Sequence, residues 1–277
     1  MPFLELSDLR LFYEIDDHTD PWAKPETVVF VHGFTETTEA WRAWVPHFSR
    51  RYRMIRIDQR GFGQSGAVPK DFQLTTELFV DDLVRLINHV SDEPVHVVGG
   101  KSGGISVAVL AATRPDLVRT ITLASSIVTA PNAEGWLAHM ERHGMRSWAR
   151  MTMRKRLGSE MPERAIDWWV DLMGATALST AHAYLRWVGG IDIRDDIKRI
   201  KCPTLVIGTN AAGKDRETLS AWQKTIPASE LVILPIDGYH AAGTDPDGAA
   251  AATLDFIARH TRSTIPKLLE RSEASQR

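Results

Sequence analysis

The stretch VHVVGGKSGGISVAVL, residues 95–110, decides how the rest of this sequence is interpreted. An apolar, β-branched run ends in two glycines, a lysine and a serine follow, and two more glycines open a second apolar run. This pattern predicts a strand, a very tight turn and a helix. Residues 100–104 fit G-x-S-x-G, in which a nucleophilic serine lies on a strained strand-to-helix turn. We therefore predict Ser102 as a nucleophile.

The glycine spacing in this motif has a physical reason. The strand and helix backbones nearly touch, so small residues are needed two positions before and two positions after the nucleophile. The helix that follows directs its free N–H groups towards the place where negative charge develops. A glycine-rich turn without chemistry is the alternative interpretation.

Length and composition limit the classes of protein to which this chain can belong. A chain of 277 residues is one large domain or a domain with an insertion. The 33 Lys and Arg residues balance 35 Asp and Glu residues, so no nucleic-acid surface is expected. The single cysteine, Cys202, excludes an internal disulfide. We see no signal peptide and no membrane-spanning stretch, and we expect a cytoplasmic protein.

Strands alternate with helices along most of the chain. After a predicted hairpin at residues 3–15, apolar strands are expected at 27–31, 52–57, 95–100, 120–124, 204–207 and 231–234. Helical patterns cover residues 41–48, 76–90 and 248–260. This alternation predicts an α/β fold with a mostly parallel central sheet flanked by helices.

The region 131–201 differs from its surroundings, because it is rich in Trp, Met and Arg and holds no convincing strand. We predict a helical lid inserted into a core formed by residues 1–130 and 202–261, followed by a polar tail at 262–277. The underside of a lid faces the substrate, so its apolar side chains predict a largely apolar substrate. Five lid arginines are expected to form a solvated helical face, with a carboxylate clamp as the alternative: Arg142, Arg146, Arg150, Arg154 and Arg156.

Four motifs occur in a characteristic order: HGF at 32–34, DQRGFGQS at 58–65, the GKSGG turn at 100–104, and GYH at 238–240. Together they make the sequence resemble the α/β-hydrolase fold superfamily over residues 3–260. The resemblance is greatest to its lidded serine esterases, lactonases and C–C bond hydrolases. It implies the fold strongly and the substrate weakly, because one fold hosts many chemistries.

The resemblance also implies roles for individual residues. His240 would be the general base, and the backbone N–H groups of Phe34 and Gly103 would form the oxyanion hole. The place that usually holds the triad acid is occupied by Ala211, so we predict the next carboxylate, Asp215, as the acid. Asn210 or a backbone carbonyl orienting the histidine remains the alternative.

Two side chains near the motif are candidate substrate contacts. The phenyl ring of Phe34 would form the floor of the pocket. Lys101, directly before the serine, is either a paired or solvated lysine or a cation that favours an acidic substrate.

These residues predict a serine hydrolase that cleaves a small carboxylic ester or lactone through an acyl-enzyme on Ser102. A C–C bond hydrolase acting on a ketone or diketone acid would use the same residues. A ligand-binding receptor on a hydrolase scaffold is the alternative outside enzymes. The partner is a small-molecule substrate, the sequence leaves a homodimer open, and no cofactor or metal site is expected.

Overall fold

In a computed structural model that describes residues 2–261, eight strands form one sheet in the order β1-β2-β4-β3-β5-β6-β7-β8. The strands are β1 Phe3–Glu5, β2 Arg10–Asp16, β3 Thr27–Val31, β4 Arg53–Ile57, β5 Val95–Gly100, β6 Val118–Ala124, β7 Thr204–Thr209 and β8 Ser229–Leu234. The first two pair antiparallel and β2 pairs antiparallel with β4. All other pairs are parallel.

Helices cover the sheet. A 3-10 helix, Thr38–Trp44, leads into α1 Val45–Phe48, and a short 3-10 turn covers Gly63–Ser65. The other helices are α2 Thr76–Val90, α3 Gly103–Thr113, α4 Trp136–His143, α5 Met145–Leu157, α6 Glu163–Gly174, α7 Leu178–Val188, α8 Arg194–Ile197, α9 Arg216–Gln223, α10 Ala241–Thr244 and α11 Pro246–His260. The predicted α/β fold with a mostly parallel sheet is confirmed.

The parallel strands β3, β5, β6, β7 and β8 end at the same edge of the sheet. The loops that follow them therefore meet there, which is where open α/β sheets bind ligands. The HGF, GKSGG and GYH motifs all lie in these loops. The fold thus brings the distant motifs together.

The segment between β6 and β7 contains α4 to α8, and its described strand pairing is an isolated bridge between Thr129 and Asp192. We name residues 131–201 the helical insertion. The domain boundaries stay a prediction, and the predicted tail at 262–277 lies outside the described residues. Of the helices formed within residues 2–261, none has the length and hydropathy that a membrane span requires.

Candidate functional site

The tight turn after β5 is centred on Lys101. Its backbone has a φ of +50°, in the left-handed region, whereas Ser102 has φ −73° and ψ −15°, in the right-handed helical region. A non-glycine residue with positive φ is uncommon and strained. The strained position is therefore occupied by lysine rather than by the predicted serine.

The contacts of the neighbouring glycines support the same centre. A Cβ atom at Gly99 would lie 2.7 Å from the Cα of Gly104, and one at Gly103 would lie 2.2 Å from the His32 carbonyl oxygen. A Cβ atom at Gly100 would be 3.1 Å from the nearest atom, in a tryptophan side chain. Backbone crowding thus demands glycine two positions before and two positions after Lys101. The predicted centre of the turn, Ser102, is therefore one residue too late.

Ser102 is buried, with 8% of its surface exposed. Its Oγ accepts a hydrogen bond from the Phe34 N–H at 3.0 Å and one from the Tyr184 hydroxyl at 2.7 Å. Burial raises the pKa of Tyr184, so its phenol stays protonated and donates. Phe34, the predicted oxyanion donor, therefore faces the motif, and its N–H is bonded to the serine side chain. The predicted second donor, Gly103, begins α3, whereas the N–H directly after the turn's centre belongs to Ser102.

A carboxylate that the sequence analysis missed, Glu36, lies at the centre of a buried ionic cluster. Its Oε1 pairs with the Lys101 ammonium and lies 2.8 Å from His240 Nε2. Its Oε2 accepts the Gly33 N–H at 2.9 Å. Burial would raise the pKa of Glu36, but Lys101 and His240 hold it well below its usual range. Glu36 is therefore ionised.

His240 is fixed at both ring nitrogens. Its Nδ1 accepts the Gly243 N–H at 3.1 Å, so Nε2 carries the proton and donates it to Glu36. Burial and the nearby Lys101 lower the pKa of His240, although Glu36 opposes them. The structure brings His240 close to Lys101 through Glu36, and within residues 2–261 its ring bonds Glu36 and Gly243 rather than Ser102.

Asp215, the predicted triad acid, lies elsewhere. It caps the N-terminus of α9, where its carboxylate accepts the Thr218 N–H at 3.0 Å and the Gly213 N–H at 3.2 Å. These local bonds use the side chain, and Glu36 holds the imidazole that Asp215 was expected to orient. The choice of Asp215 is therefore wrong in geometry. The available signal for Glu36 was a carboxylate two residues beyond Phe34, at the same sheet edge as the turn.

A cavity of about 620 Å³ opens between this turn and the helical insertion. Phe34, Lys101 and Ser102 line one side, and Tyr184 and Trp136 come from the insertion. The positively charged residues that line it are Lys101, Lys155, Arg156 and Lys214, and the described lining includes no Asp or Glu. His240 and Glu36 lie behind Lys101 and are not part of the lining.

Arg156 was predicted to lie on a solvated face, and this prediction is wrong. The side chain is buried, with its guanidinium 5.0 Å from the ring of Trp148 and 5.6 Å from that of Tyr239. Its Nε donates to Thr152 at 3.0 Å, whereas Nη2 has no hydrogen-bond partner among residues 2–261. The other four arginines of the predicted solvated face are exposed: Arg142, Arg146, Arg150 and Arg154. A buried guanidinium with a free donor fits an anionic ligand.

Lys214 supplies a second cation from the loop after β7. Its ammonium donates to the Ser126 carbonyl oxygen at 2.7 Å, and burial lowers its pKa to about 8. An ammonium has three donors, so two remain for a ligand. Within the part of the chain that the structure describes, no carboxylate pairs with Lys214, and no cluster of His, Cys, Asp or Glu could hold a metal ion.

Comparisons with known proteins agree with this fold. The sequence profile described as alpha/beta hydrolase fold matches residues 26–245. The chain is 26% identical over 193 residues to (E)-2-((N-methylformamido)methylene)succinate hydrolase of Acinetobacter baylyi, covering 66% of this chain and 71% of the relative. It is 25% identical over 260 residues to 2-hydroxy-6-oxo-6-(2'-aminophenyl)hexa-2,4-dienoic acid hydrolase of Metapseudomonas resinovorans, covering 87% of each.

Among solved structures, the enol-lactonase from Burkholderia xenovorans superimposes with a TM-score of 0.84 at 20% identity, covering 93% of this chain and all of that one. This likeness concerns the fold alone. The profile match spans most of the sequence, and the motifs meet at one edge of the sheet. The chain belongs to the α/β hydrolase fold family.

Proposed function

We propose that this protein is an enzyme that cleaves a bond beside a carbonyl group in a small carboxylic acid. One observation carries the proposal: the cavity is lined by Arg156, Lys214 and other cations, with no acidic side chain among its described lining residues. A buried cation without a counter-ion is costly, and a carboxylate ligand would remove that cost. The predicted largely apolar substrate is accordingly revised to an anionic one.

The opposite side of the cavity suits a carbonyl group. The Phe34 N–H and the Tyr184 hydroxyl both donate to one oxygen, Ser102 Oγ. Two donors that converge on one point could equally stabilise negative charge on a substrate oxygen, once the serine hydroxyl moves aside. The names of two relatives, a succinate hydrolase and a dienoic acid hydrolase, also describe carboxylic acids.

Ester or lactone hydrolysis through an acyl-enzyme on Ser102 is the second candidate. The hydrogen bond from the Phe34 N–H to Ser102 Oγ favours it, because that N–H is a predicted oxyanion donor. The serine would also need a base, and His240 would have to leave Glu36 to reach it. A hydroxyl without a base is a weak nucleophile.

The test assays esters, lactones and ketones that carry an additional carboxyl group. Each compound is supplied in two forms, with that carboxyl group free and with it blocked as a methyl ester. We expect kcat/KM to favour the free acid by about tenfold to a hundredfold, since a hydrogen bond to a charged group contributes about 1.5–3 kcal/mol. Arg156→Met should remove most of this preference. Arg150→Met is the matched control, because Arg150 lies on the same helix but is exposed and pairs with Asp167.

Equal turnover of acids and methyl esters, unchanged by Arg156→Met and by Lys214→Met, would contradict the proposal. Tight binding of the acids with no turnover of any compound would also reject an enzyme. That result would favour the ligand-binding receptor instead.

A further inference from the structure

The strained centre of the turn is Lys101, and the neighbouring backbone leaves room for its side chain. A Cβ atom at Gly33 would lie 2.7 Å from Lys101 Cε, so the glycine leaves room for the aliphatic stem. The side chain lines the cavity, although only a small part of it is exposed. Backbone strain of this kind is retained where the surrounding structure requires one residue in one orientation.

Glu36 connects this lysine to His240 in a chain of three buried groups. One carboxylate oxygen, Oε1, contacts both Lys101 Nζ and His240 Nε2. Of the three, Lys101 alone belongs to the described lining of the cavity. The arrangement therefore presents an amine to the substrate and keeps a carboxylate and a histidine behind it.

The chemistry of amines limits which carbonyl compounds Lys101 could turn over. An amine that attacked an ester would form an amide, which is too stable to release. An amine that attacks a ketone or aldehyde forms an imine, which water reverses readily. Lysines that are desolvated in this way are known nucleophiles towards carbonyl groups.

We propose that Lys101 forms an imine with small carboxylic acids that carry a ketone or aldehyde group, while Arg156 and Lys214 hold the carboxylate. The inference rests on the proposed function, because the same cavity must bind the acid. It goes further by naming the reactive residue and by restricting the carbonyl group to one that an amine can condense with.

The step balances without an added reactant. The neutral amine adds to the carbonyl carbon, forming a C–N bond, and the carbonyl oxygen takes a proton. The resulting carbinolamine loses that oxygen as water, which leaves a C=N bond to Lys101. The protonated imine can then accept the electron pair of a C–C bond that breaks at the neighbouring carbon, which leaves an enamine and releases the other fragment as an aldehyde whose hydroxyl proton passes to a base. The enamine takes a proton at that carbon, and water finally hydrolyses the imine to the amine and the carbonyl group.

The neutral amine is available at ordinary pH. Burial lowers the pKa of Lys101 to about 8, with Arg156 acting in the same direction and Glu36 opposing. At neutral pH, therefore, a larger fraction of this amine is unprotonated than of an exposed lysine.

The test is reductive trapping with pyruvate, a small 2-keto acid, and acetone as the uncharged control. The intact protein is incubated with each probe and sodium cyanoborohydride, which reduces an imine to a stable secondary amine. Peptide mapping then locates the adduct. We expect one pyruvate per chain on Lys101, at a rate at least about tenfold above that of acetone, and no such adduct in Lys101→Met.

Mapping in the wild-type protein keeps the test decisive if the variant folds poorly. An adduct on Lys214, which also has a lowered pKa, or spread over exposed lysines, would overturn the inference. So would the absence of any adduct. If acid-selective turnover persists without an adduct, only this inference fails. If acetone labels Lys101 as fast as pyruvate does, the acid preference of the proposed function fails instead.

Discussion

Replacing Lys101 with methionine is expected to lower kcat/KM for the preferred acid by at least about a thousandfold, whereas Ser102→Ala should change it by less than about tenfold. The lysine occupies the strained centre of the turn and lines the cavity. Ser102 instead receives hydrogen bonds from Phe34 and Tyr184. The measurement is steady-state kinetics of both variants on one substrate that the wild-type enzyme turns over.

Methionine preserves the length of the lysine stem, but it leaves Glu36 with less positive charge around it. Folding of Lys101→Met must therefore be checked by its urea denaturation. The double variant Glu36→Gln/Lys101→Met provides the control, because it removes both charges and should remain inactive even where it is stable. If Ser102→Ala abolishes turnover and Lys101→Met does not, the acyl-enzyme mechanism replaces ours.

Glu36→Gln is expected to lower the free energy of unfolding at pH 7 by about 3 kcal/mol, because it leaves Lys101 buried without its counter-ion. Asp215→Asn is the matched carboxylate-to-amide control. It should change stability by less than about 0.5 kcal/mol, since asparagine caps a helix about as well as aspartate. Urea denaturation measures both values.

The pH dependence of this effect follows from the lowered pKa of Glu36. Its stabilising contribution is fully present above the ordinary carboxyl pKa of 4.5 and is lost as the pH falls through the lower value in the folded protein. The stability gap between wild type and Glu36→Gln should therefore be present at neutral pH and narrow as the pH falls below 4.5. Equal effects of Glu36→Gln and Asp215→Asn at pH 7 would contradict the ionic cluster.

Several strands of the central sheet were predictable because most of their residues are apolar and many are β-branched. The strand over Thr27–Val31 and the helix over Thr76–Val90 begin and end where their patterns predict. Such runs are buried on both faces of a parallel sheet, so local sequence and tertiary environment favour the same structure. The motifs at the strand ends were found for the same reason.

The centre of the turn was not predictable from the motif alone. The sequence GGKSGG has two overlapping sets of small residues, one centred on Lys101 and one on Ser102. Only the backbone angles and the close approach of Gly103 to His32 distinguish them. The G-x-S-x-G pattern therefore favoured Ser102, because the sequence does not show the environment of Lys101.

The missed side chains depend on contacts between distant parts of the chain. Glu36 and His240 are 204 residues apart, and their pairing follows from strand order rather than from local pattern. Arg156 lies on a helix with three other arginines, and only the packing of α5 against Tyr239 distinguishes it. The composition of a sequence does not show which of its charged side chains are buried.

The reactivity of Ser102 towards a fluorophosphonate, a reagent for activated serines, is the most direct test of which residue at this turn is reactive. With Lys101 as the nucleophile and His240 bonded to Glu36, we expect no stoichiometric labelling of Ser102 at neutral pH. One label per chain on Ser102, lost in His240→Ala, would contradict the account and identify the protein as a serine hydrolase.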